Sequence, residues 1–287
     1  MSLEKNRGNV YAEYMTLAAR NTFLKGGMIF ALLFLLFFIV LSVAVVPVYP
    51  SMEQDISVRT RGIFNQVLNP RLLSVHTVIA VSILYSLITI IFIYFSFEKT
   101  QSLEILFVAF FALSFSAETL RLILPLGRVY EIPSLYILLS SRVILFFRCF
   151  GLFSLFAASV YATGFTTQRQ RSVIMIITVA ALVIAIGVPI DTYRWNSALN
   201  MISGYSSMFG IVEIGLFIMI SASFFVAAWS RGAREFVFIG AGSVLVLVGR
   251  IMLQISDTWI GPLLAAACLA FGTRLICKKL HKFYMWL

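Results

Sequence analysis

GMIFALLFLLFFIVLSVAVVPVY, residues 27–49, runs from Gly27 to Tyr49 without one charged side chain. A helix needs about 20 apolar residues, at roughly 1.5 Å rise per residue, to cross the hydrocarbon core of a bilayer. The run is too long for the apolar region of a secretory signal. Roughly 26 mixed-charge residues precede it and no small-residue cleavage site follows, so it is expected to stay in the membrane as an anchor. Seven further runs of similar character follow, at 74–97, 103–126, 133–160, 172–190, 205–229, 236–254 and 259–276.

The whole 287-residue chain agrees with that reading. It is 61% hydrophobic and 12% charged, whereas a soluble domain carries about 25% charged residues. The breaks between runs hold Pro, Gly and polar clusters, the usual punctuation of helices. Examples are Pro47 and Pro50, Asn69-Pro70, Glu98-Lys99, Pro125 to Arg128, Thr166 to Arg171, Asp191 to Gly204, Arg231 to Arg234 and Ser256-Asp257.

With the N-terminus inside, 13 of the 22 Lys and Arg residues fall on the inner side. Five fall outside (Arg59, Arg61, Arg71, Arg128 and Arg194) and four lie within spans. Cytoplasmic loops carry the excess of basic residues, so both termini are expected to be cytoplasmic. The fold class is an all-α polytopic membrane bundle of about eight transmembrane helices. A leading helix at 27–49 and an outer loop at 50–73 precede a seven-helix bundle over 74–276. The flanks are a cytoplasmic N-terminal segment, 1–26, and a basic interfacial tail, 277–287. Residues 9–24 suit a surface helix, and Phe283, Tyr284 and Trp286 beside Lys278, Lys279 and Lys282 suit the headgroup layer.

Several function classes drop out. The net charge of +10 is dispersed over short loops and ends, with no basic module to form a nucleic-acid groove. Cys149, Cys268 and Cys277 fall in or beside apolar runs and give no disulfide framework. Only His76 and His281 are available for a histidine metal site, and no P-loop, C-x-x-C or H-E-x-x-H occurs. The expectation is therefore a protein with no cofactor, no metal, no nucleic-acid partner and no catalytic residues.

The residues that carry information are those out of place in lipid: Glu118, Arg121, Arg142, Arg148, Glu213 and Arg250. Each costs on the order of 2.5–3.5 kcal/mol at a helix centre, and such residues usually face partners or water. Ser114, Glu118 and Arg121 recur at i, i+4, i+7, as do Ser206, Gly210 and Glu213. Gly240, Ser243 and Arg250 line another helix with Gln254 next, and Ser141 shares a face with Arg148 while Arg142 points about 120° away. Most of these charges lie in one layer roughly 6–14 Å below the outer surface, with Arg148 deeper. Four arginines against two glutamates leave positive charge over. That predicts an outward-facing pocket for an anionic group, a carboxylate or a lipid phosphate, which guanidinium grips bidentately. The competing expectation is that both glutamates simply pair to lock the bundle, with Arg250 and Arg121 snorkelling outward.

Three stretches carry a family resemblance. Glu98-Lys99-Thr100-Gln101 makes a tight inner turn. Ser230-Arg231-Gly232-Ala233-Arg234 opens a span that runs to Arg250, and Gly272-Thr273-Arg274-Leu275 leads into a basic stretch. Over residues 74–282 the chain resembles the seven-helix membrane module of bacterial receptors with diverse intracellular signalling domains. The resemblance implies a receptor-like, ligand-sensing module in the bacterial cytoplasmic membrane. In that family an external domain precedes the helices and an output domain follows them. Here a short loop precedes them and about ten residues follow, so a cytoplasmic or membrane protein partner is expected to carry the output. The alternatives are a small transporter, a lipid-handling subunit or a structural subunit of a membrane complex.

The topology is directly testable. A fluorescent-protein fusion at the C-terminus should fluoresce, and an alkaline phosphatase fusion there should be inactive. A cysteine placed at Arg59 should react with impermeant maleimide on intact cells. Phosphatase activity at the C-terminus would reverse the orientation.

Overall fold

A computed structural model describes residues 17–49, 72–97, 102–164, 170–204, 206–256 and 258–285. Within them are eight helices long and apolar enough to cross a membrane, and the chain is a multi-pass membrane protein. The first span is α1 (Leu17–Val45) and the second α2 (Leu72–Ser96). The third is compound. It runs from α3 (Leu103–Ser114) through a 3-10 stretch (Phe115–Leu122) into α4 (Ile123–Val129). Then come α5 (Ser134–Ala162), α6 (Gln170–Gly187), α7 (Ser206–Arg231), α8 (Glu235–Ile255) and α9 (Ile260–Met285). Helices dominate because lipid offers no partner for backbone N–H and C=O groups, and a helix satisfies them within itself.

The third span is the centre of the bundle. In its most apolar stretch 78% of the residues are buried, against 11% in the first span. It packs between the second and fourth spans. The fourth contacts the fifth and sixth, the sixth the seventh, the seventh the eighth, and the eighth returns to the second. That last contact includes a buried hydrogen bond of 2.7 Å between the Tyr85 and Thr273 hydroxyls. The first and fifth spans lie on the outside of this ring, against the second and third spans and against the fourth.

α8 and α9 make the most extensive helix–helix contact. Without a hydrophobic drive between helices in lipid, small residues that let backbones approach closely decide such interfaces. A Cβ on Gly272 would stand 2.7 Å from the Gly242 carbonyl oxygen and 2.7 Å from Val246. At the other end of α7, Gly232 has φ +60°, the left-handed conformation with which helices commonly terminate and which glycine adopts without steric cost.

Three differences from the sequence reading have physical causes. α1 is already helical at Leu17, well before the apolar run begins at 27. Arg20 Nη2 donates to the Phe97 carbonyl at 2.6 Å, tying these turns to the end of α2. Residues 17–24 therefore form the first turns of α1, while residues 1–16 lie outside the described residues. At the other end α9 continues to Met285, so most of the expected basic tail is helix. The ring of Phe283 sits 4.9 Å from that of Phe236, Lys282 pairs with Glu235 at 3.4 Å, and the Tyr284 hydroxyl reaches Glu104 at 2.7 Å. Third, the break at 191–204 is an antiparallel hairpin, β1 (Ile190–Trp195) and β2 (Met201–Ser203). The outer loop at 50–71 lies outside the described residues.

The hairpin turns back toward the bundle. Gly204 N–H to the Pro189 carbonyl, 2.7 Å, closes its base. At the tip, Asn196 N–H donates to the Asn200 carbonyl at 2.9 Å, and Asn200 N–H to Asn196 Oδ1 at 2.8 Å. Asn196 and Ser197 stay exposed, whereas Ala198 and Leu199 are each 1% exposed. Leu199 packs in a hydrophobic cluster with Phe38, Val75, Ile79, Leu122 and Leu126.

The α8–α9 contact yields a stability prediction. Gly272→Leu should destabilise the detergent-solubilised protein by about 1–3 kcal/mol, the usual cost of overpacking, and lower its thermal midpoint. Gly210→Ala, where a Cβ meets nothing within 4 Å, should leave the midpoint unchanged.

Candidate functional site: a buried arginine–carboxylate network

Phe115–Leu122 reads FSAETLRL and is wound as a 3-10 helix inside the third span. The Ser114 and Ser116 hydroxyls each donate at 2.6 Å to a carbonyl three residues back, those of Phe111 and Leu113. Such short-range bonds compete with the α-helical ladder. Side chains at i and i+3 eclipse in a 3-10 helix. That places Arg121 over Glu118, with Nε 2.6 Å from Oε2.

The fourth span supplies the second grip. Arg148 Nε donates to Glu118 Oε1 and Nη2 to Oε2, both at 2.8 Å. This bidentate geometry is among the strongest available to a carboxylate. Arg148 Nη2 also donates to Asn200 Oδ1 of the hairpin at 2.6 Å, and Asn200 Nδ2 donates to the Gln254 carbonyl at 3.0 Å. From the seventh span, Arg250 pairs with Glu213 at 3.3 Å and donates through Nη2 to the Arg148 carbonyl at 3.2 Å. With its amide oxygen turned toward Arg250, Gln254 accepts from Nη2 and Nε at 3.1 Å each.

Five of the six sequence candidates therefore meet: Glu118, Arg121, Arg148, Glu213 and Arg250. Arg142 stands apart. Its Nη1 donates to the Ala185 carbonyl at 3.2 Å and to that of Ile186, at the end of α6. The last carbonyls of a helix lack intrahelical partners and carry the negative end of its dipole, so Arg142 caps the fifth span. Outward snorkelling of Arg121 and Arg250 is not observed, since their side chains are 1% and 4% exposed.

Charge does not balance within the network. Three arginines share two carboxylates, and both Glu118 oxygens are already occupied by guanidinium groups. Arg121 Nη2 is buried without a hydrogen-bond partner among the described residues. An unmatched charge in a low-dielectric setting is costly unless water or an anion reaches it. A cavity of about 80 Å³ borders the network at Arg148, lined by Ser141, Ile144, Arg148, Ile190, Leu199 and Asn200 among others. Arg148 is the charged group on its wall, and its side chain is 20% exposed against 1% for Arg121. One water needs only roughly 10–15 Å³ of such volume, so there is room for a carboxylate or phosphate group. A separate groove of about 280 Å³ between the fourth and fifth spans, lined by Phe153, Phe156, Val160 and Ile176, has an apolar lining.

Asn200 and Glu104 were not singled out from sequence. Asn200 lies in what reads as an ordinary polar break, and nothing in its local pattern signals that the chain turns inward there. Glu104 reads as a boundary residue, yet it is 2% exposed and accepts from the Tyr284 hydroxyl. Among the described residues no three His, Cys, Asp or Glu side chains converge to hold a metal ion.

Removing one partner of a buried ion pair costs about 3–5 kcal/mol, because the other charge is stranded. Glu118→Gln strands two arginines and should be the most destabilising single change in the network. Arg142→Gln removes a helix cap and should cost about 1 kcal/mol. Thermal midpoints of the purified variants check the order; equal midpoints would show that Glu118 does not hold the network together.

No family model matches the chain, and no solved structure matches it. It is similar to an uncharacterized protein of Treponema pallidum (strain Nichols), 27% identical over 89 residues. The match covers 31% of this chain and 26% of that protein.

Proposed function

We propose that this multi-pass protein is a receptor-like, ligand-sensing module of the bacterial cytoplasmic membrane, which recognises a small anionic group from the hairpin side. The observation that carries the reading is the surplus of arginine over carboxylate in the network, one of whose arginines, Arg148, lines a cavity. A carboxylate or phosphate oxygen at Arg148 would supply the missing negative charge and receive charge-assisted hydrogen bonds. The resemblance to seven-helix receptor modules supports sensing, with output passed to a partner at the basic, opposite end.

A second reading rests on a different observation. The third span changes winding at the residues that carry Glu118 and Arg121, and interrupted helices with charge at membrane depth are a feature of transporters. In that reading the same anion is carried across.

The test is calorimetric titration of the protein in nanodiscs of zwitterionic lipid with acetate and with inorganic phosphate. A parallel set of nanodiscs contains phosphatidylglycerol, which separates a dissolved anion from a lipid headgroup. Arg148→Gln should weaken binding by roughly 10–100-fold, the equivalent of one charged hydrogen bond. Arg142→Gln should leave affinity unchanged. Binding insensitive to Arg148 would defeat the assignment. Accumulation of labelled phosphate or acetate in proteoliposomes would favour transport over sensing.

A further inference from the structure

The hairpin tip does something no covering loop needs to do: it delivers a hydrogen-bond acceptor to the arginine that faces the cavity. Asn200 Oδ1 lies 2.6 Å from Arg148 Nη2, on the edge of the same guanidinium that grips Glu118. We infer that Asn200 is a tethered stand-in for the ligand, holding the hairpin tip in the anion site until an anion displaces it. The inference rests on the anion-sensing reading above and adds how that site is regulated.

Four observations support displacement over a permanent structural bond. First, the acceptor is a neutral amide oxygen. A carboxylate or phosphate oxygen in its place would add a negative charge to the bond, making an ion pair with Arg148 that a neutral amide oxygen cannot make, which favours the anion in the exchange. Second, Arg148 and Asn200 line the same cavity, so there is space for a ligand beside the contested pair. Third, the residue before Asn200 is held in an unusual conformation. Leu199 has φ +52°, a region that non-glycine residues rarely occupy and that surrounding packing must enforce. Release of the tip frees Leu199 from it. Fourth, the hairpin is weakly built. Its two strands pair with an irregularity between Ile190 and Trp195, and two-stranded hairpins are marginal alone. Its seat therefore depends on the buried tip and on Asn200, which also donates to the Gln254 carbonyl at 3.0 Å.

The arrangement has a defined consequence. In the unliganded protein Asn200 occupies a donor of the cavity-lining Arg148, and apparent affinity is lowered by the fraction of molecules whose site the tip occupies. Anion binding and exposure of Ala198 and Leu199 become two sides of one equilibrium.

Three variants test this in nanodiscs. Asn200→Ala removes the competing oxygen and should tighten acetate and phosphate binding by about tenfold, the effect of a tip that occupies the site about nine-tenths of the time. Asn200→Asp, nearly the same shape, brings a tethered carboxylate to Arg148 and should abolish binding of both probes. Ala198→Cys, in a chain whose Cys149, Cys268 and Cys277 are replaced by alanine, should react slowly with maleimide and faster once phosphate is added. Phosphate binding that depends on Arg148 but is equal or weaker in Asn200→Ala overturns the inference and leaves the sensing reading intact. Phosphate binding without faster labelling of the Ala198→Cys variant does the same. Failure of both probes to bind the wild type and Asn200→Ala alike defeats the anion reading itself, and the stand-in role with it.

Discussion

A carboxylate carried into hydrocarbon must find its counter-charge before the helices around it can settle. Glu118 meets that demand from two directions. Arg121 reaches it along its own span and Arg148 from the neighbouring one. Because Glu118 sits on the most enclosed span, its pairing fixes the rotation of that span and its register against the fourth. The seventh span is then drawn in, since Arg250 donates to the backbone of Arg148 itself, and the sixth follows through Glu213. Polar hydrogen bonds between membrane helices are individually modest. Here they act as one connected set, whose members cannot be lost singly without leaving a buried charge exposed to lipid.

How much of this was legible in the sequence depended on the kind of signal. The spans were, because length and freedom from charge are written residue by residue in stretches such as 27–49. The network was legible in part. Helical spacing put Glu118 and Arg121 on one face, and depth put Glu213 and Arg250 at a similar level. Spacing also set Arg142 about 120° from Arg148, and the structure uses that difference: one arginine caps α6 and the other holds Glu118. What could not be read was the behaviour of residues 190–203. A polar break with two asparagines looks the same whether it lies on the surface or turns inward. The decision is made by Leu199 and the apolar cluster that receives it, which is a tertiary fact. The ends of the first and last helices were missed for a related reason. Hydropathy marks where lipid begins, whereas Arg20 on Phe97 and Tyr284 on Glu104 mark where helix ends.

The two halves of the bundle are organised differently. Toward the hairpin, polar side chains from four spans converge on a few charges. Toward the basic end the contacts are mainly aromatic, with Phe107 stacked on Tyr161 and Phe236 against Phe283. Glu104 is buried at that end, and its partner hydroxyl comes from the last turn of the last helix. The third span thus bears a buried carboxylate in each half, one held by guanidinium groups and one by a phenol.

That span also mixes two pitches. A 3-10 helix rises about 2.0 Å per residue and an α-helix about 1.5 Å. The eight residues from Phe115 to Leu122 are therefore about 4 Å longer than they would be as α-helix. In mechanical terms the third span is a threaded rod, whose length is set by winding as well as by residue count. Rewinding beside Glu118 would change its axial distance from Glu104.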